Sequence, residues 1–246
     1  MSQPNVANTG TRATRVLGVA TLVGMVTLVV WAFFVLPADA VQGDAARLLP
    51  LHVAVAWLAY LAFIVTALSS LLYLLPKTRS MTWDRIAGAS AEVGVLFLGL
   101  LIAVGMIWGK LTWGVFWRWD PRLTTTALLF LMFIGYLALR GIDAAPAVRA
   151  RRSAVLGIIA ALNIPIVHKS VEWWGSLHQP PSIRSGAVTI DGAMLFGLFF
   201  AVVVFTFAYV WLLLHRNRVA QLEAAFDTQG LDRALEARRA EAAVRS

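Results

Sequence analysis

The chain has 246 residues, 59% apolar and only 14% charged, with a formal net charge of +8 and no cysteine. A soluble domain carries about 25% charged residues, so this chain lacks the polar material to coat a water-exposed globule. The absence of cysteine excludes a disulfide framework, a Cys-x-x-Cys redox site and thiolate metal ligation. The positive charge would suggest nucleic acid in a soluble protein. Here the basic residues sit between long apolar runs, the pattern of membrane topology, and nucleic acid is not an expected partner.

A bilayer core needs about 20 apolar residues as helix. Six runs meet or approach that length: about Val16–Leu36, Val53–Leu75, Ile86–Ile107, Thr124–Leu139, Ala154–Val167 and Gly192–Leu214. The fold expected is all-α, a polytopic membrane protein with six transmembrane helices. No cleavable signal peptide is expected, because the first run is long enough to span and has no clear small-residue cleavage site before Pro37. One set of connections carries Arg12, Arg15, Lys77, Arg79, Arg85, Arg140, Arg149, Arg151 and Arg152, and the tail from Arg216 onward. The other set carries only Arg47, Lys110, Arg118, Arg122, Lys169 and Arg184. The richer set is cytoplasmic by the positive-inside rule, which makes both termini cytoplasmic. Residues 1–215 form the membrane domain in this reading. Residues 216–246 form a charged cytoplasmic tail, with Leu222, Ala225, Phe226 and Ala234 suggesting a frayed amphipathic helix.

Between the third and fourth runs lies the sequence Trp108-Gly109-Lys110-Leu111-Thr112-Trp113-Gly114-Val115-Phe116-Trp117-Arg118-Trp119-Asp120-Pro121-Arg122-Leu123-Thr124, which holds four of the ten tryptophans. An aromatic belt explains one or two tryptophans per helix end. It does not explain Trp-Gly repeated at a spacing of five, or Trp-x-Trp-Asp followed by arginine. Gly109 and Gly114 would let the backbone approach a flat object, and the indoles would give it an apolar floor. On the residues alone, belt and ligand site stand equally.

Four histidines are present. His52 lies where the first outer connection enters the second run. His178 lies in the last outer connection, after Trp173-Trp174-Gly175-Ser176-Leu177. Both share a membrane face with the tryptophan loop. A lone interfacial histidine is ordinarily a hydrogen-bonded side chain. Two of them flanking an aromatic floor would suit a haem site, since imidazole is a usual axial ligand of haem iron. His168 rivals His178 as the second ligand, and His215 falls on the opposite side. Haem propionates want guanidinium donors. Arg122 is the first choice for that role, with Arg118 and Arg184 behind it. Asp120 is expected to anchor the loop by pairing with Arg118 or Arg122, or by capping the fourth helix. Glu92, inside the third run, is either functional or a helix contact to a partner subunit.

The series Trp108-Gly109…Trp113-Gly114…Trp117-x-Trp119-Asp120-x-Arg122-Leu123-Thr124 resembles the tryptophan-rich WWD signature of haem-handling proteins. Together with the six runs and Trp173-Trp174…Leu177-His178-Gln179, it is similar to the haem exporter protein C (CcmC) family of cytochrome c maturation, from about His52 through the sixth run. The resemblance implies that the tryptophan loop and Trp173–Trp174 bind haem b on the periplasmic side of a bacterial inner membrane, with His52 and His178 as axial ligands. It implies delivery to a periplasmic haem chaperone, CcmE. The further partners it implies are the ATP-hydrolysing transporter subunits CcmA and CcmB and the small subunit CcmD. It implies a delivery subunit rather than a classical catalyst. Two departures stand out: Phe116 replaces a tryptophan common in the family, and Lys110-Leu111-Thr112 replaces a Pro-Met pair. Two other functions compete. A haem lyase resembling CcsA or CcmF would be larger and carry more histidines. A secondary transporter unrelated to haem would want broken helices or mid-membrane polar groups, for which only Glu92 and Asn163 with Pro165 qualify.

Overall fold

A computed structural model describes residues 9–178, 183–184 and 187–245, without the side chains of Arg184, Ala187 and most positions beyond 230. The described residues fold as seven α-helices: α1 (Arg12–Val30), α2 (Leu49–Leu74), α3 (Met81–Trp113), α4 (Pro121–Arg140), α5 (Pro146–Ala161), α6 (Asn163–Trp174) and α7 (Gly192–Arg245). A two-residue antiparallel ladder, Ile183–Arg184 with Ala187–Val188, precedes α7. Six helical segments are long and apolar enough to cross a membrane, with α5 and α6 together making the fifth.

The helix starts are written in the sequence. Thr11, Ser80 and Asp120 each accept a backbone N–H from the first turn of α1, α3 and α4. Proline stands at the start of α2, α4 and α5, where its missing N–H costs nothing. Other features were not legible from hydropathy. α1 ends in a π-helical turn over Trp31–Val35. The fifth crossing is expected near Ala154–Val167 but runs from Pro146 to Trp174, interrupted at Leu162. Pro165 has no N–H to donate to the carbonyl of Ala161. The Asn163 amide donates to the Thr125 carbonyl at 2.9 Å, fastening the break to α4. α7 continues without interruption into the charged tail.

α2 is central and packs on α3, α5 and α7. Its Phe63 stacks on Phe133 of α4, ring centroids 3.7 Å apart, in the main core. α1 leans on α7 and leaves Val16, Val19, Leu22, Val23 and Val26 exposed, as a lipid-facing helix should. At one end of the bundle the start of α1 meets the middle of α7, where Arg218 donates to the Thr9 hydroxyl at 2.8 Å. Near that end Glu92 pairs with Arg216 and ties α3 to α7 within this chain. This intrachain helix contact is neither of the two roles expected for Glu92. A second pair, Asp84 with Arg140, is bidentate at 2.5 and 3.1 Å and joins α3 to α4. Its carboxylate is buried.

Candidate functional site

At the opposite end of the bundle meet the start of α2, the end of α3, the start of α4 and the connection after α6. The tryptophan stretch is half helix. α3 continues through Trp113, so Trp108 to Trp113 are helical, and only Gly114 to Asp120 form the connection. This shifts the work of the two glycines. Gly109 is buried, and a Cβ there would sit 3.2 Å from the Trp113 ring and 3.3 Å from the Val115 carbonyl. It makes room for the loop folding back. Gly114 ends α3 with φ +76°, a conformation that side chains disfavour. The two departures from the family pattern touch each other. The Lys110 ammonium lies 5.5 Å from the Phe116 ring centroid and donates to the Gly114 carbonyl at 2.9 Å. Together they clasp the turn.

Each tryptophan of the Trp-Gly pair faces one histidine. Trp108 meets His52 edge to face at 5.3 Å, and Trp113 meets His178 likewise at 5.0 Å. The Trp108 indole N–H also donates to the Gln42 side chain at 3.1 Å. Trp117 and Trp119 pack edge to face, as do Trp173 and Trp174. Trp119, Trp173 and Trp174 are exposed, so this end of the bundle presents a broad aromatic surface.

Asp120 organises the site. It caps α4 through the Arg122 N–H, and it also accepts from the Ser176 hydroxyl at 2.8 and 2.7 Å and the Leu177 N–H at 2.7 Å. Its carboxylate lies 3.4 Å from Nδ1 of His178. Of the roles expected for it, capping is realised. Pairing with the Arg118 or Arg122 guanidinium is not among its contacts, because its oxygens are turned to the last connection. Burial works to raise the Asp120 carboxyl, but the bonds from Ser176, Leu177 and Arg122 and the neighbouring His178 hold it below the ordinary carboxylate value. Burial, helped by the Arg122 charge, pulls His178 below the ordinary imidazole value, with Asp120 opposing. His178 is then neutral at pH 7, and its contact with Asp120 is a hydrogen bond rather than an ion pair.

Proton counting fixes the tautomer. Ser176 has one hydroxyl proton and directs it to the carboxylate, which has none to give. Ser176 Oγ lies 3.3 Å from His178 Nδ1, so the proton between them belongs to the imidazole. Nδ1 therefore carries N–H, and Nε2 keeps its lone pair for a ligand. His52 Nδ1 is buried and has no partner among the described residues.

Arg122 lies within electrostatic reach of His52, Tyr60 and His178. Its Nη2 donates to the His168 carbonyl at 3.1 Å, and its Nε is buried without a partner among the described residues. The His168 imidazole itself is exposed on α6 and makes no ring contact or hydrogen bond among the described residues. Arg118 is exposed. Gln179 and the Arg184 side chain lie outside the described residues. His215, midway along α7, bonds the Trp211 carbonyl. Sequence reasoning missed Gln42, Ser176 and Tyr60. Ser176 alone left a signal, two residues before a candidate ligand.

No group of three or more His, Asp or Glu side chains among the described residues could hold a bare metal ion. Two histidines, one with an available Nε2 and one with a buried unpaired nitrogen, suit an iron porphyrin with two axial positions. Fold and site together define a polytopic membrane protein with an aromatic, two-histidine site at one end of its helix bundle.

A family model described as haem exporter protein C matches residues 2–231. The chain is 39% identical over 178 residues to haem exporter protein C of Bradyrhizobium diazoefficiens, covering 72% of this chain and 66% of that protein. It is 34% identical over 204 residues to haem exporter protein C of Haemophilus influenzae, covering 82% of each. Over 176 residues it is 36% identical to a Marchantia polymorpha mitochondrial protein whose name is ccmC-like in cytochrome c biosynthesis, covering 72% of this chain and 74% of that one. The chain belongs to the haem exporter protein C family, CcmC.

Proposed function

We propose that this chain binds haem b at the periplasmic face of the inner membrane and presents it to the haem chaperone CcmE during cytochrome c maturation. His52 and His178 are the axial ligands in this reading, and Arg122 receives a propionate. One observation carries it: the two tryptophans of the Trp-Gly pair each brace one of the two histidines, 5.3 and 5.0 Å away. A belt residue has no reason to choose a histidine, and two have less.

Bound haem would supply an iron that accepts two imidazole nitrogens. This chain's own residues do the rest. Asp120 and Ser176 hold the His178 proton on Nδ1, so that Nε2 can ligate. Arg122 places positive charge beside both histidines, which suits an anionic propionate. His52 and His178 would together hold the iron, which would leave bound haem parked rather than poised to activate oxygen. The exposed Trp119, Trp173 and Trp174 offer the chaperone an aromatic docking edge. CcmA, CcmB and CcmD are the companion subunits in this reading. The basic end of the bundle, with both termini, is then cytoplasmic, and the charged tail of residues 216–246 is cytoplasmic with it.

The test is covalent haem on co-expressed CcmE, read by in-gel haem peroxidase staining. His52→Ala and His178→Ala should each reduce it strongly, while His168→Ala should leave it near wild type. Normal loading of the chaperone by both single variants would sink the ligand assignment.

A further inference from the structure

The end of the bundle away from the two histidines holds a cavity of about 420 Å³, between the C-terminal end of α2 and the first turns of α5. Its walls include Tyr73, Leu74, Val148 and three arginines, Arg79, Arg151 and Arg152, and no carboxylate. Arg79 donates from Nε and Nη2 to the Tyr73 and Leu74 carbonyls, which closes the end of α2 and fixes that guanidinium at the rim. Arg151 and Arg152 are exposed and make no hydrogen bond or ion pair among the described residues. Three guanidiniums around one cavity repel each other unless an anion sits among them. The Asp84–Arg140 pair shows what the chain does elsewhere at this end, where arginine has its own carboxylate. α5 begins at Ala145 without a side-chain cap, so the partial positive charge of that helix end adds to the same field.

From this we propose that the cavity binds the phosphate of an anionic phospholipid. Guanidinium forks match phosphate oxygens. The cavity lies at the level where two membrane-crossing segments end, which is where headgroups lie. Apolar Leu74 and Val148 form part of the wall, and Leu71, Leu75 and Val155 are exposed on the adjoining faces of α2 and α5 to take the acyl chains. A free anion would need none of that apolar surface. Basic pockets between helices at this level are a recurrent form of lipid recognition. The site stands on different residues from the histidine site and does not rest on the haem reading.

Native mass spectrometry of the full chain in detergent tests it, with phosphatidylglycerol and phosphatidylcholine of the same acyl chains added in turn. Phosphatidylglycerol should be retained about fivefold better, and the pair Arg151→Ala with Arg152→Ala should abolish the preference. Lys77→Ala, exposed nearby but outside the cavity, should keep it. The pair Arg151→Lys with Arg152→Lys should keep part of it, and decides the matter should the alanine pair fail to purify. Equal retention of the two lipids, or an unchanged preference in the alanine pair, would overturn the proposal. So would full displacement of phosphatidylglycerol by millimolar inorganic phosphate, which would make the cavity a free-anion site.

Discussion

The Asp120 carboxylate lies 3.4 Å from Nδ1 of His178, and the two belong to different connections of the bundle. Through Ser176 and Leu177 the same carboxylate holds the whole last connection against the start of α4. Asp120→Asn keeps the size but replaces an acceptor-only group with one that also donates. The Nδ1 tautomer of His178 then loses its enforcement. Haem affinity should fall about 10- to 100-fold, the range for a changed partner of a metal-bound histidine. Haem titration of the apo-protein checks this, with Ser176→Ala as a milder companion.

Trp108 and Trp113 should be separable. Trp108→Ala removes a ring from His52 and a hydrogen bond from Gln42, and Trp113→Ala removes a ring from His178. Each should shift the haem spectrum, and each should be partly restored by phenylalanine, which keeps the edge-to-face contact. Identical behaviour of the alanine and phenylalanine variants would assign the indole N–H rather than the ring.

The two interhelical ion pairs should differ sharply in worth. Asp84 is buried against Arg140, so Asp84→Asn leaves an unmatched guanidinium in the bundle and should cost about 3–5 kcal/mol. Glu92 and Arg216 have side chains 38% and 30% exposed. Glu92→Gln should cost less than about 1 kcal/mol. Thermal unfolding of both variants in the same detergent compares them directly.

The pH dependence has a definite sign. A histidine ligates only when neutral, and His178 is held below its ordinary value of 6.5. It therefore stays neutral as pH falls through 6.5, and haem retention should persist there and fail only at lower pH. The Asp120 carboxyl is held below its ordinary 3.8, so the stability it gives by remaining charged is full above that value. That contribution is lost as pH falls through the lowered value. A midpoint of haem release at or above 6.5 would contradict the burial of His178.

Much of the architecture was legible because lipid imposes a length and a composition on every crossing. The six runs stand in the sequence, and so does the capping role of Asp120. What hydropathy does not carry is register along the helix axis. It reads Trp108 to Trp113 as loop because glycine and tryptophan are poor helix signals, yet the helix continues until Gly114 turns it. It shortens the fifth crossing because the arginines of α5's first turns and the polar end of α6 lower the average. At the site, His52, His178, Arg122 and the tryptophans could be named from residue type alone. The partnership of Asp120 with Ser176 could not, since 56 residues separate them and no periodicity links them. Likewise Glu92 gives no sign in sequence that its partner stands on α7.

The most direct measurement is the absorption spectrum of the purified protein beside His52→Ala and His178→Ala, each co-expressed with CcmE. A low-spin, bis-histidine haem spectrum in the wild type, lost or shifted in both variants, is the expected result. A haem spectrum unchanged in both variants would contradict the account, since it would place the iron on ligands other than the two histidines that the tryptophan pair braces.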